Sequence, residues 1–99
     1  MSPTDASSRP ERIRACLRAH FEDAQLELID ESHLHVGHAG AREGKGHYRL
    51  HIVSDRFVGL RPLQRHQLIY SALEELMRTE IHALNIVART MEEAATAKA

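Results

Sequence analysis

The stretch Glu31 to His47, ESHLHVGHAGAREGKGH, holds four of the eight histidines and four of the five glycines in the chain. The histidines are His33, His35, His38 and His47, and the glycines are Gly37, Gly40, Gly44 and Gly46. Imidazole is a common metal ligand and the side chain best placed to exchange protons near neutral pH. Glycine leaves the backbone free to wrap around whatever such rings bind. The stretch therefore reads as part of a metal site, with His82, far away in sequence, as a candidate partner ligand. By pattern alone a lone histidine at a strand entrance more often only hydrogen-bonds a backbone carbonyl. His47 opens an alternating apolar run and belongs to a strand rather than to the site. The lone cysteine, Cys16, falls in the apolar stripe of a helix and reads as core. No activated nucleophile and no pair of carboxylates at catalytic spacing is evident, so an enzyme is not expected.

A second group of residues is basic. Between positions 42 and 65 lie Arg42, Lys45, Arg49, Arg56, Arg61 and Arg65, against only Glu43 and Asp55. Arg61 and Arg65, one helical turn apart where a helix begins, could hold an anion, or they could form a solvated basic patch. The net charge of −1 argues against binding nucleic acid by bulk electrostatics, leaving only a local basic face around Arg56, Arg61 and Arg65 for DNA. Gly44-Lys45-Gly46 is far from a phosphate-binding Walker loop.

These residues must be positioned by a single domain, because 99 residues leave no room for two. Residues 1 to 8 read as a mobile tail, and 9 to 99 as the domain. Ser8 and Glu11 suggest a capping box opening a helix whose stripe is Ile13, Cys16, Leu17, His20, Phe21 and Ala24, ending near Glu22 to Ala24. Gln25 to Asp30 alternates as a strand, and His47 to Ser54 alternates more clearly, with Tyr48, Leu50 and Ile52 on one face. Asp55 to Arg61 is a turn anchored by Phe57, with Gly59 supplying positive φ. Pro62 introduces the longest helix, Leu63 to Met77, with Leu63, His66, Tyr70, Leu73 and Met77 as its stripe, widened by Ile69, Ala72 and Leu76. Ile81 to Arg89 is a third strand, which puts His82 on the same inward side as Leu84 and Ile86. Thr90 and Glu93 cap a short last helix. The order αββ(α)αβα predicts a two-layer α+β fold, a three-stranded mixed sheet with helices on one face.

One cysteine fits a reducing cytoplasm. The N-terminal MSPTDASS lacks the apolar core of a secretory signal, and no run approaches the roughly 20 residues needed to span a bilayer. The expectation is a soluble cytoplasmic domain with no membrane partner.

Four segments in this order and at these spacings resemble the BolA family. They are Asp30-Glu31-Ser32, Ser54-Asp55-Arg56-Phe57 with Gly59, Leu63-Gln64-Arg65-His66, and Ile81-His82-Ala83-Leu84, and the similarity runs from about Arg12 to Glu93. The resemblance implies a class II KH-like fold. It implies pairing with a monothiol glutaredoxin of the CGFS type through a shared [2Fe–2S] cluster. The histidine of the H-A-L segment, here His82, would be one ligand, and a loop histidine, His35 or His38, the second. The glutaredoxin side would add a cysteine and a glutathione thiol. Two imidazoles on one iron would be Rieske-like ligation. Bacterial members are also described as DNA-binding regulators of stress, cell shape and biofilm genes, which is the alternative role. Alone, the chain is expected to be a monomer or weak homodimer. Gly37-His38-Ala39-Gly40 also spells the G-x-x-G of KH domains, but it lies between strands rather than helices and is set aside.

Overall fold

Alternation of apolar and polar residues along His47 to Val53 produces the middle strand of a three-stranded sheet. The computed structural model describes residues 8–32 and 46–98. Its elements are α1 (Arg9–His20), β1 (Gln25–Asp30), β2 (Gly46–Val53), a 3-10 turn (Asp55–Phe57), α2 (Pro62–Ala72), α3 (Glu74–Thr79), β3 (Ile81–Arg89) and α4 (Met91–Lys98). β1 pairs antiparallel with β2, and β3 pairs parallel with β2, in the order β1-β2-β3. This is the expected mixed sheet. Of the expected tail, only Ser8 lies within the described residues, and its Oγ accepts the Glu11 N–H at 3.4 Å to start α1.

The inward face of β2 is Tyr48, Leu50 and Ile52, at most 2% exposed. Ile13 and Leu17 from α1, Phe21 just after it, Phe57 from the turn, Ile69 from α2, Leu73 at the junction of α2 and α3, Leu76 from α3 and Ile81 from β3 complete the core. Cys16 is half-buried and packs against it, as expected of a core cysteine. α1 ends at His20, earlier than the periodicity predicts. Phe21 takes φ −132°, outside the helical region, and its ring packs 5.4 Å from that of Phe57. His20 is exposed, and its Nδ1 lies 3.0 Å from the Cys16 carbonyl in the last turn.

The long helix departs from the expected stripe. Leu63 is 68% and Tyr70 39% exposed, while Arg65 is only 9% exposed. The inward face is Ile69, Leu73 and Leu76, which belong to the expected stripe and its widening, together with the stem of Arg65, a placement that a hydrophobicity pattern cannot anticipate for a charged residue. The helix also divides at Leu73 (φ −103°, ψ 14°) into α2 and α3, although the Met77 N–H still donates to the Leu73 carbonyl at 2.8 Å.

α1, α2 and α3 pack on the inward face. α4 departs from that arrangement: Ala94 and Ala97 line a cavity of about 360 Å3 with Glu27, His51, Val53 and Arg89, which belong to the opposite face of the sheet. α4 opens with a reciprocal cap. The Glu93 N–H donates to Thr90 Oγ1 at 3.1 Å, and the Thr90 N–H donates to Glu93 Oε1 at 2.9 Å. Glu93 also accepts from the two terminal guanidinium nitrogens of Arg65, Nη1 and Nη2, at 2.5 and 3.0 Å.

Two variants test this cap. Thr90→Ala removes the hydroxyl acceptor and is expected to destabilise the fold by about 1 kcal/mol in urea unfolding. Glu93→Gln is expected to lower stability at neutral pH, by an amount that shrinks in acid. Arg65, and after it the Thr90 N–H, hold the Glu93 carboxyl down from 4.5 to about 2. Its contribution is therefore complete above about 4.5 and is lost as the pH falls toward 2. A Glu93→Gln deficit that stays constant across that range would contradict the assignment.

Candidate functional site

The loop carrying the histidines leaves β1 at Glu31 and enters β2 at Gly46, and both stems are pinned. The Glu31 N–H donates to the His47 carbonyl at 2.8 Å, extending the β1–β2 ladder by one step. The His47 N–H donates to Ser32 Oγ at 3.0 Å. Arg49 Nε donates to the Glu31 carboxylate at 3.0 Å, and the Ser32 N–H to Asp30 Oδ1 at 2.9 Å. Each residue of the Asp30-Glu31-Ser32 segment thus fixes where the loop begins. At the other stem the Gly46 N–H donates to the Glu80 carbonyl at 2.9 Å. A Cβ on Gly46 would lie 2.4 Å from the ring of Tyr48, and Tyr48 is itself buried, so any larger residue there overpacks the site.

Glu80 brings the third piece to the same place. Its carboxylate accepts from Arg9 at 3.5 Å and from Arg12 Nε at 3.2 Å, tying α1 to the end of α3. The hydrogen bond from Arg12 holds the Glu80 carboxyl below its usual range. Ile81 follows, 2% exposed. Gly46 pairs with Ile81 but His47 pairs with Ala83, which leaves His82 as the extra residue of a β-bulge. The bulge resets the alternation. Ile81 and Leu84 both pack with the core, while His82 and Ala83 are exposed. The inward placement expected for His82 is thereby corrected. Its imidazole meets that of His47, with centroids 4.9 Å apart and planes tilted by 48°. His47, expected only as a strand residue, is 6% exposed. Its burial and its contact with His82 were not legible in the alternation, which a bulge interrupts without any change of composition.

His33, His35 and His38 lie outside the described residues. Among the described residues no three His, Cys, Asp or Glu side chains are grouped to hold a metal ion. Cys16, in α1, packs against the core rather than joining His82. Whatever the loop adds, the thiolates of an iron–sulfur cluster would have to come from another molecule.

The basic residues separate. Arg65 donates to the carbonyls of Leu60 at 2.9 Å and Ala88 at 3.1 Å, besides Glu93, so its guanidinium is committed inward and is not presented to a phosphate. Arg56 is exposed, but it donates to the His20 carbonyl and lies 5.1 Å above the Phe21 ring, closing the end of α1. Arg61 is exposed at the start of α2, where its N–H is capped by Gln64 Oε1 at 2.9 Å. Around the turn, Asp23 accepts the Ser54 hydroxyl at 2.8 Å and the Asp55 N–H at 3.0 Å. These bonds, the backbone one first, hold the Asp23 carboxyl below its ordinary value. Asp23 was not singled out by its sequence context. Among the described residues no helix is long and apolar enough to cross a membrane.

The mixed three-stranded sheet with its stapled loop stems and bulged histidine defines a BolA-like domain. The structure overlays the BolA domain of SufE1 from Arabidopsis thaliana with a TM-score of 0.77 at 41% identity, covering 88% of this chain and 96% of that one. The family model described as BolA-like protein matches residues 17–93, and the chain belongs to the BolA family. It is 45% identical over 83 residues to the DNA-binding transcriptional regulator BolA of Escherichia coli, covering 84% of this chain and 76% of that protein. It is 42% identical over 91 residues, 87% of this chain, to SufE-like protein 1 of Arabidopsis thaliana, of whose length it spans only 24%.

The stem geometry is open to direct measurement. Ser32→Ala removes the acceptor of the His47 N–H, worth about 1 kcal/mol. The His47 amide is expected to exchange its hydrogen about fivefold faster, with the β2 amides beyond it, such as Leu50, little changed. Equal acceleration along the whole of β2 would show that Ser32 supports the sheet rather than the loop stem.

Proposed function

We propose that this BolA-family chain is a non-enzymatic adaptor of the cytoplasm, acting in iron–sulfur cluster trafficking or iron sensing. It pairs with a monothiol (CGFS-type) glutaredoxin through a shared [2Fe–2S] cluster. His82 and one loop histidine, His35 or His38, are its ligands, and the glutaredoxin side supplies a cysteine and glutathione. The observation that carries this reading is the meeting of three strand ends. Both stems of the histidine loop are bonded at the start of β2, beside the ring of His82. Of the two exposed members of its motif, His82 and Ala83, His82 is the one with a side chain that can ligate a metal. Neighbouring Ile81 and Leu84 pack with the core, whereas the bulge turns His82 outward. Two neutral imidazoles suit one iron of the cluster, and their replacement of thiolates raises its reduction potential.

Co-expression with a CGFS glutaredoxin, followed by visible absorption and circular dichroism, tests the proposal. His82→Ala is expected to remove most of the bridged-cluster signal. Of His35→Ala and His38→Ala, one should behave like His82→Ala and the other like the wild type. An unchanged spectrum for His82→Ala would end this reading.

A second reading has one specific observation in its favour. Arg61 stands exposed at the start of α2, and the relative from Escherichia coli is named as a DNA-binding transcriptional regulator. A DNA-binding role would use Arg61 and the outer edge of Arg56, without Arg65. In a duplex titration over several salt concentrations, Arg61→Ala is expected to weaken binding uniformly across sequences. It should also lower the steepness of log K against log salt by about one. Absence of salt-dependent binding in the wild type would exclude it.

A further inference from the structure

We infer that His47 is the positioning residue for His82, an inference that rests on His82 being a ligand. An exposed histidine at a strand end has about three χ1 wells and a roughly two-fold χ2, so about six arrangements compete in the absence of a neighbour. Here the bulge and the ring of His47 remove most of them. Gly46 pairs with Ile81, and His47 pairs with Ala83, so His82 is pushed out of the ladder on the same face as His47. The centroid separation of 4.9 Å and the tilt of 48° fall within the range of favourable ring pairs. His47 is the fixed member. It is 6% exposed, its Nε2 is buried, and its backbone is held by Glu31 and Ser32. His82 is the exposed member. A buried ring held on both sides by backbone hydrogen bonds is a shelf, and an exposed ring resting on it is aimed.

The role differs from that of a ligand. With Nε2 buried, His47 does not present that nitrogen to a cluster shared with a second protein. Its contribution is the face of the ring, which phenylalanine would also provide. The loop stems and the shelf form one unit, because the residue whose N–H and carbonyl bind Ser32 and Glu31 also carries the ring under His82. The placement of His82 relative to the loop stems is therefore governed by His47.

The test uses His47→Ala, His47→Phe and His82→Ala, each as the full chain, alone and co-expressed with a CGFS glutaredoxin. In the apo chain, ring-to-ring NOEs between His47 and His82 and restricted 13C relaxation of the His82 ring are expected in the wild type. His47→Phe should keep that restriction and His47→Ala should lose it. In the complex, His47→Ala is expected to weaken cluster retention about three- to sixfold, matching the number of arrangements released. His47→Phe should stay within twofold of the wild type and keep its EPR and circular dichroism signature. If His47→Phe abolishes the cluster as His82→Ala does, His47 is itself a ligand and the positioning role is overturned. If His47→Ala matches the wild type in retention while His82→Ala does not, the shelf is overturned and the ligand reading stands. If His82→Ala leaves the cluster intact, the ligand reading fails, and the positioning role, which rests on it, is overturned with it. Should His47→Ala unfold, absence of the wild-type ring NOEs or a freely moving His82 ring would still overturn the inference.

Discussion

Tyr48, Leu50 and Ile52 occupy the middle strand and are paired on both sides, with Leu28 and Leu26 across one ladder and Leu84, Ile86 and Ala88 across the other. A slip of one residue in either ladder would turn the whole apolar set of the slipped strand toward solvent. The register is consequently fixed by burial, and all else is hung from it. α1, α2 and α3 find the apolar face. The opposite face takes His47, Arg49 and His51, and with them the polar contacts that end the sheet.

Against that rigid register, one irregularity stands out. The bulge at Gly46 and His47 lets Ile81 and Leu84, three residues apart in one strand, both pack with the core. In a regular strand residues two apart share a face, so with Leu84 inward His82 would be buried and Ile81 exposed. The neighbouring motifs have mostly structural work: Asp30-Glu31-Ser32 staples a loop, Ser54-Asp55-Arg56-Phe57 closes the end of α1, and Gln64 and Arg65 cap and clamp. The resemblance in sequence is thus largely a resemblance in scaffolding. It maintains the relation between a loop and a single outward histidine.

Element types and order were legible because each element repeats its period. The two-residue alternation of β2, the Thr90–Glu93 cap and Pro62 at the head of α2 all act locally. What escaped was decided at a distance. Arg65 reads as a solvent-facing charge until Leu60, Ala88 and Glu93 are seen to surround it. His82 reads as inward until the partner strand imposes its bulge. Asp23 is one acid among many until Ser54 and Asp55 reach it from across the chain. The co-ligand proposed for His82 was narrowed to His35 or His38 by family resemblance, and both lie outside the described residues.

The route from Val53 to Ile81 passes through a turn and two helices before β3 can lie beside β2. Closing so long a segment costs more entropy than closing the β1–β2 loop, and contacts between remote residues form slowly. The loop histidines and His82 are therefore separated in time as well as in sequence. Before the crossover docks, His82 has no strand to bulge from and no ring to rest on. A chain emerging during synthesis passes through a stage in which it carries the histidine loop without its counterpart. The two-ring arrangement arises only with the completed fold, so the ring of His82 gains its place beside His47 as one of the last events of folding.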